Sequence, residues 1–255
     1  MQLSKKSIRL FLILGFLFMV LFCVLTFCLT TVDIGNIPFE NQDGSLASPL
    51  ATQRLGLSSI NKSFHKAFPY NDSFYKLSKI ASIFMFMILA LPVIYGVLDL
   101  IEAKGLKNLN RRNYVILCYL ALIAILYVFF DHVVLNYRPV VMDMEEYLDA
   151  GHAAASYPST HALLSTTIGG LGIVESLRRF KKPWLKWVSL ACISVISVVV
   201  LLSRTFAGVH WLTDIVAGVL FGLSMVFLYI SVSSVIDAES KEKAEASAEK
   251  GAGEE

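Results

Sequence analysis

Apolar residues fall in six long runs along the chain, with charged and turn-forming residues gathered in the stretches between them. The first run reaches from about Leu10 to Val32, behind a start that carries Lys5, Lys6 and Arg9. A cleavable signal has a shorter apolar core and small residues at a cleavage site, so an uncleaved first helix acting as a signal anchor is expected. Ile80 to Leu100 forms the second run and Tyr114 to Phe130 the third. The helical pattern of the third continues through Asp131 and His132 to Tyr137. Arg138-Pro139 should stop it there, because a residue before proline is pushed out of helical geometry. Pro158 opens the fourth run, which extends to about Val174; the fifth ends at Leu202, and the sixth covers Trp211 to Ile236. Runs of this length suit helices that cross a bilayer. The expected fold class is all-α, a polytopic membrane protein with six transmembrane helices.

The intervening stretches complete the division. Residues 1–32 are expected to form the first transmembrane helix, 33–79 an external loop, 80–236 a membrane core of five helices, and 237–255 a solvated cytoplasmic tail. In the loop, Asn36-Ile37-Pro38, Asn41 to Gly44 and Phe68 to Asp72 are turn signals. Leu55 to Phe68 has enough apolar residues for a short helix on the membrane surface, to which the sequence assigns no role. His65 within it reads as a solvated side chain. The tail holds mostly Glu, Lys, Ala, Ser and Gly, with nothing large and apolar to bury, and is expected to be poorly ordered.

Composition agrees with a membrane protein: 56% of the 255 residues are hydrophobic and the formal net charge is only +2. No basic face or nucleic-acid motif is visible, which makes membrane lipids the expected surroundings and nucleic acid no partner. Cys23, Cys28, Cys118 and Cys192 all lie inside apolar runs, match no metal-ligand spacing and do not report a redox compartment. The placement of charge says more than its sum. Basic clusters lie at the N-terminus, at Lys104 to Arg112 and at Arg178 to Lys186. With six spans all three fall on one side, which the positive-inside rule makes cytoplasmic. Both termini are then cytoplasmic. Arg138, the turn from Pro158 to His161 and the stretch from Ser203 to Asp214 emerge together on the external face of the cell membrane.

These three segments hold the candidate chemistry. Arg204, His210 and Asp214 sit at the mouth of two apolar runs, where ionisable groups are functional candidates by default. If a helix starts near His210, Asp214 lies one turn further on the same face. A carboxylate that accepts a hydrogen bond from one imidazole nitrogen leaves the other free and more nucleophilic. Arg204 offers a planar fork suited to phosphate oxygens. The plainer alternative is a set of interfacial residues capping a helix, with His210 merely satisfying Asp214. At Pro158 to His161, proline suits the first turn of a helix. The N–H groups of Ser159, Thr160 and His161 then form an anion site, with the Ser159 hydroxyl as a further donor and His161 as a second imidazole. A Ser/Thr helix cap beside an incidental histidine is the alternative there, and Arg138 alone reads as an interfacial arginine. Together, two arginines, helix amides and a hydroxyl make a cradle for a tetrahedral oxyanion. One histidine attacks phosphorus while the other protonates the leaving oxygen. Phosphoryl transfer mainly needs such positioning and charge stabilisation. No carboxylate or Cys/His cluster suggests a metal or other cofactor, so a metal-free mechanism is the simpler inference.

On these residues the chain resembles the type 2 phosphatidic acid phosphatase family, which shares a helical core with vanadium haloperoxidases. The family carries K-x6-R-P, P-S-G-H and S-R-x5-H-x3-D. Ser203, Arg204, His210 and Asp214 match the third motif fully; Pro158, Ser159 and His161 match the second, with Thr160 in the glycine position. Arg138-Pro139 matches the first, with Asp131 where the lysine belongs. The resemblance covers roughly residues 75 to 236 and implies a six-helix lipid phosphatase. It implies His210 as the nucleophile that forms a phosphohistidine, Asp214 as its orienting partner and His161 as the acid for the lipid alkoxide. Arg138, Arg204 and Ser159 would hold the phosphate, and Thr160 would still offer its amide. Asp131 removes a cation and becomes a possible modulator, with steering of Arg138 weighed against a solvated side chain.

The expected activity is hydrolysis of a lipid mono- or diphosphate at the external leaflet, such as polyprenyl diphosphate, phosphatidylglycerophosphate or phosphatidate. Transfer of the phosphoryl group to another lipid's hydroxyl and a non-catalytic lipid-binding role are the alternatives. The sequence names neither the lipid nor an oligomeric state.

Overall fold

A computed structural model describes residues 3–38, 52–139 and 155–252. Helix α1 (Lys5–Thr31) leads into a two-stranded antiparallel ribbon, β1 (Gly35–Pro38) on β2 (Thr52–Leu55), with Gly35 opposite Leu55. Helices α2 (Ser58–Ala67) and α3 (Asp72–Ala103) follow, then a short 3-10 turn (Leu106–Asn108), α4 (Arg111–His132), α5 (Thr160–Arg179), α6 (Pro183–Phe206) and α7 (Leu212–Ala252). Apart from the ribbon the described fold is all-helical. The helices α1, α3, α4 and α6, and α7 as far as Glu242, are long and apolar enough to cross a membrane. This is a polytopic membrane protein.

Helix α5, where the fourth span was expected, is not apolar enough to join that group. Its position explains why. It packs against α7, α6, α3 and α4 at the centre of the bundle, with Ala162, Leu163, Ile168 and Leu171 each 1% exposed. A helix that faces protein rather than lipid is free to carry small and polar residues, which let backbones approach closely. At Gly172 an added Cβ would stand 2.7 Å from the Ile88 side chain of α3. Helix α1 lies along α7, where the Ser224 hydroxyl donates to the Gly15 carbonyl at 2.8 Å and Phe22 stacks on Phe221 at 4.7 Å.

The largest differences from the expected element boundaries fall in α3, α4 and α7. Helix α3 starts at Asp72 rather than Ile80, because the Asn71 side chain caps it by accepting the Phe74 N–H. Helix α4 stops at His132 rather than Tyr137; Val133 is already extended, and the next residues pair with a distant segment instead. Helix α7 continues through the charged tail to Ala252, whose Ala, Glu and Lys residues are strong helix formers.

The two ends of the bundle differ. At one end Arg112, Arg178 and Arg179 surround the buried Glu175, and Arg179 also reaches Asp99 of α3 at 2.7 Å. The Tyr229 hydroxyl donates to Glu175 at 2.7 Å, so this network joins α3, α4, α5 and α7. The opposite ends of the same helices meet at the candidate site.

Candidate active site

Three segments far apart in the chain are tied by hydrogen bonds. After α4, the carbonyl of Asn136 accepts the Ser156 N–H at 3.1 Å, Tyr137 bridges Ala155, and Arg138 Nε donates to the Ala155 carbonyl at 3.0 Å. This pairing is what ends α4 early. After α6, the chain turns at Gly208 with φ +66°, where an added Cβ would also crowd the Pro69 backbone at 2.5 Å. The following Trp211 donates its indole N–H to the Tyr137 carbonyl at 2.7 Å. The Ser159 N–H donates to the Asp214 carbonyl at 2.9 Å. The three segments identified in the sequence therefore form one frame.

His210 and Asp214 lie at its centre, 1% and 0% exposed. The direct hydrogen bond expected between them is not made: His210 Nδ1 stands 3.7 Å from Asp214 Oδ2. Ser156 fills that role instead. Its carbonyl is 3.1 Å from His210 Nδ1 and its hydroxyl oxygen 3.3 Å from the same nitrogen. The hydroxyl donates to Asp214 Oδ2 at 2.5 Å. Asp214 also accepts the Trp211 N–H at 2.9 Å and the Asn136 amide at 3.1 Å. An Nδ1–H donating to a carbonyl fixes the tautomer that carries its lone pair on Nε2, and among the described residues His210 Nε2 has no hydrogen-bond partner. Burial first, then the guanidiniums of Arg138 and Arg204 and the His161 imidazole, hold His210 well below the ordinary histidine pKa.

Pro158 stands ahead of α5 rather than in its first turn, and Ser159 caps the helix, its hydroxyl accepting the Ala162 N–H at 3.4 Å. Of the three amides expected to face an anion, that of Ser159 is used by Asp214, leaving those of Thr160 and His161 open among the described residues. Arg204, 3% exposed, donates to the Ser78 hydroxyl at 3.2 Å and lies 5.2 Å over the Tyr75 ring. His161 borders a cavity of about 80 Å³ lined also by Ser82, Ser165 and Tyr127. A larger apolar groove of about 340 Å³ between α3 and α4 shares Phe86, Tyr127, Leu164 and Ile168 with it.

The structure thus gathers His161, His210, Asp214, Ser159, Arg138 and Arg204, with Thr160 on the same helix turn. Asp131, in the last turn of α4, makes no ion pair among the described residues, and Arg138 donates to a main-chain carbonyl. The sequence reading missed Ser156 and Asn136, which surround Asp214, and Asn61 of α2. Asn61 is fully buried, accepts the Thr213 N–H at 3.2 Å and donates to the Thr213 hydroxyl at 3.0 Å. The short surface helix therefore caps the start of α7. Only the Ser, two residues before the proline of the second motif, was within reach of local inspection.

An all-helical membrane bundle with this frame at one end defines a class of protein, and residues 110–236 match the family model described as the PAP2 superfamily. The chain belongs to that superfamily. Its curated relatives include sphingosine-1-phosphate phosphatase 2 of Mus musculus, 30% identical over 100 residues, and of Homo sapiens, 30% identical over 99. These alignments take in 39% of this chain and 27% and 24% of the relatives, so the chain spans about a quarter of the length of the curated relatives it matches. A solved structure, the transmembrane PAP2 type phosphatidylglycerolphosphate phosphatase from Bacillus subtilis, is similar with a TM-score of 0.49 at 19% identity, over 84% of this chain and 93% of that one.

Proposed function

We propose that the chain is an integral-membrane lipid phosphatase, hydrolysing a lipid mono- or diphosphate at the external membrane face through a phosphohistidine intermediate. The observation that carries this reading is the imidazole of His210, held at Nδ1 by Ser156, without a partner at Nε2 among the described residues and flanked by the Arg138 and Arg204 guanidiniums. The Nε2 lone pair attacks phosphorus, the bond to the lipid oxygen breaks, and His161 gives that oxygen its proton. Water then attacks the phosphohistidine, returning a proton to His161 and freeing Nε2 with release of inorganic phosphate. Arg138, Arg204, the Ser159 hydroxyl and the amides of Thr160 and His161 neutralise charge on the equatorial oxygens.

The apolar groove beside His161 supports a substrate with a hydrocarbon chain. The names of the curated relatives make a phosphorylated sphingoid base the first substrate to try, beside phosphatidate, phosphatidylglycerophosphate and polyprenyl diphosphate. Helix α5, with 20 residues or about 30 Å of rise, serves as the sixth span inside the ring of apolar helices. The basic network at the other end supports a cytoplasmic side there, which leaves the site external and both termini cytoplasmic.

The test is phosphate release by purified protein over this panel in detergent, with and without an acceptor lipid and a metal chelator. Turnover should persist in chelator, be blocked by vanadate and vanish in His210→Ala. Full activity in His210→Ala overturns the mechanism, and phosphate release that gives way to acceptor phosphorylation identifies a transferase.

A further inference from the structure

The family pattern asks for a lysine where this chain carries Asp131, yet one ammonium stands uncommitted beside the site. On α3, Tyr75, Ser78, Lys79 and Ser82 follow i, i+3, i+4, i+7 spacing and share one helix face. Three of the four already belong to the site. The Ser78 hydroxyl accepts from Arg204, the Tyr75 ring lies under the Arg204 guanidinium, and Ser82 lines the cavity at His161. Lys79 completes the face, with Nζ 4.4 Å from the centroid of that same Tyr75 ring. Among the described residues it has no carboxylate partner, whereas Lys76, three residues earlier, is held by Asp72 at 2.6 Å. A cation resting on an aromatic ring is weakly tethered, and a lysine stem is flexible enough to redirect the ammonium.

We propose that Lys79 supplies, from α3, the phosphate-binding cation that the first motif lacks, leaving the Tyr75 ring to contact the phosphate when substrate binds. The inference rests on the phosphatase reading above. It also accounts for Asp131: with the cation delivered from another helix, the family position is released from its role. Because α3 also contributes Phe86 and Leu89 to the apolar groove, one helix then engages both ends of the lipid.

Orthovanadate is the probe, because its inhibition reports phosphate-site affinity separately from turnover. Lys79→Met should weaken vanadate inhibition and raise KM about tenfold, the effect of losing one charge-assisted hydrogen bond, with an unchanged thermal midpoint since Lys79 is exposed. Lys79→Arg should stay within about threefold of wild type. Adding Asp131→Lys to Lys79→Met should restore inhibition to within about threefold, because a cation at the family position makes the one on α3 redundant. A Lys79→Met defect under threefold, or a tenfold defect that Asp131→Lys leaves in place, overturns the proposal while the phosphatase reading stands. Wild-type turnover insensitive to vanadate removes the phosphate site itself, and Lys79 with it.

Discussion

Replacing Ser156 with alanine separates two routes by which Asp214 can act on His210. In the native site the Ser156 hydroxyl donates to Asp214 at 2.5 Å while its oxygen stands 3.3 Å from His210 Nδ1. Asp214 itself is 3.7 Å from that nitrogen, an ion-pair distance once His210 is cationic but too long for a hydrogen bond. The Ser156 carbonyl, 3.1 Å from Nδ1, survives the substitution. Alanine therefore keeps the tautomer and removes only the hydroxyl relay. A hydrogen bond to a charged group contributes about 1.5–3 kcal/mol, and about 1.4 kcal/mol of transition-state stabilisation is tenfold in rate. The expected loss is roughly 10- to 100-fold in kcat, with KM changed less than about threefold, because the imidazole gains positive charge on attack and not on substrate binding. Ser156→Thr, which keeps a hydroxyl, should recover most of it. Asp214→Asn added to Ser156→Ala should cost less than the product of the two single losses, as for residues acting through one relay. Phosphate release at saturating and limiting substrate, with rapid-quench trapping of the phosphoenzyme, reads all four variants. A Ser156→Ala kcat within twofold of wild type, or fully multiplicative losses, would refute the relay.

Two further outcomes follow from the site and the topology. His210 attacks only when neutral, and its pKa is depressed, so the nucleophile stays available as pH falls until the depressed value is crossed. The acid limb of kcat/KM, corrected for the ionisation of the substrate phosphate, should therefore lie below the ordinary histidine value of 6.5; a limb at or above 6.5 contradicts the buried, cation-flanked environment. For topology, single cysteines at the exposed positions Ser63 and Asn108, in a variant lacking the four native ones, should react with an impermeant reagent from outside intact cells at Ser63 but not at Asn108. The reverse pattern would put the active site on the cytoplasmic side.

Much of the membrane architecture was legible because lipid imposes a simple rule: residues that face it are apolar over a full helix length. The runs of α1, α3, α4, α6 and α7 obey that rule and were read with boundaries wrong mainly at their ends. Helix α5 was found by its length and its opening motif, although composition alone excludes it from the apolar helices, since its surroundings are protein. The ribbon was missed because Gly35 to Pro38 pairs with Thr52 to Leu55 across an intervening stretch that gives no local strand pattern. The helical pattern past His132 gave no warning that Asn136 and Tyr137 pair with Ser156 and Ala155.

The site shows where such legibility ends. Motif spacing brought His161, His210, Asp214 and the two arginines together, because each motif starts or ends a helix and the spans alternate direction. It could not predict what lies between His210 and Asp214. A helical i, i+4 offset places both side chains on one face but sets their separation only to within an ångström or so, and that margin decides between a hydrogen bond and 3.7 Å. The gap is filled from another segment, by a serine 58 residues from Asp214, and the carboxylate's other oxygen by an asparagine 78 residues away. The same reasoning applies to Asp131. A motif assigns the cation to a position in the sequence, whereas phosphate requires only a charge in the right place, and α3 offers one from the face that already holds Arg204.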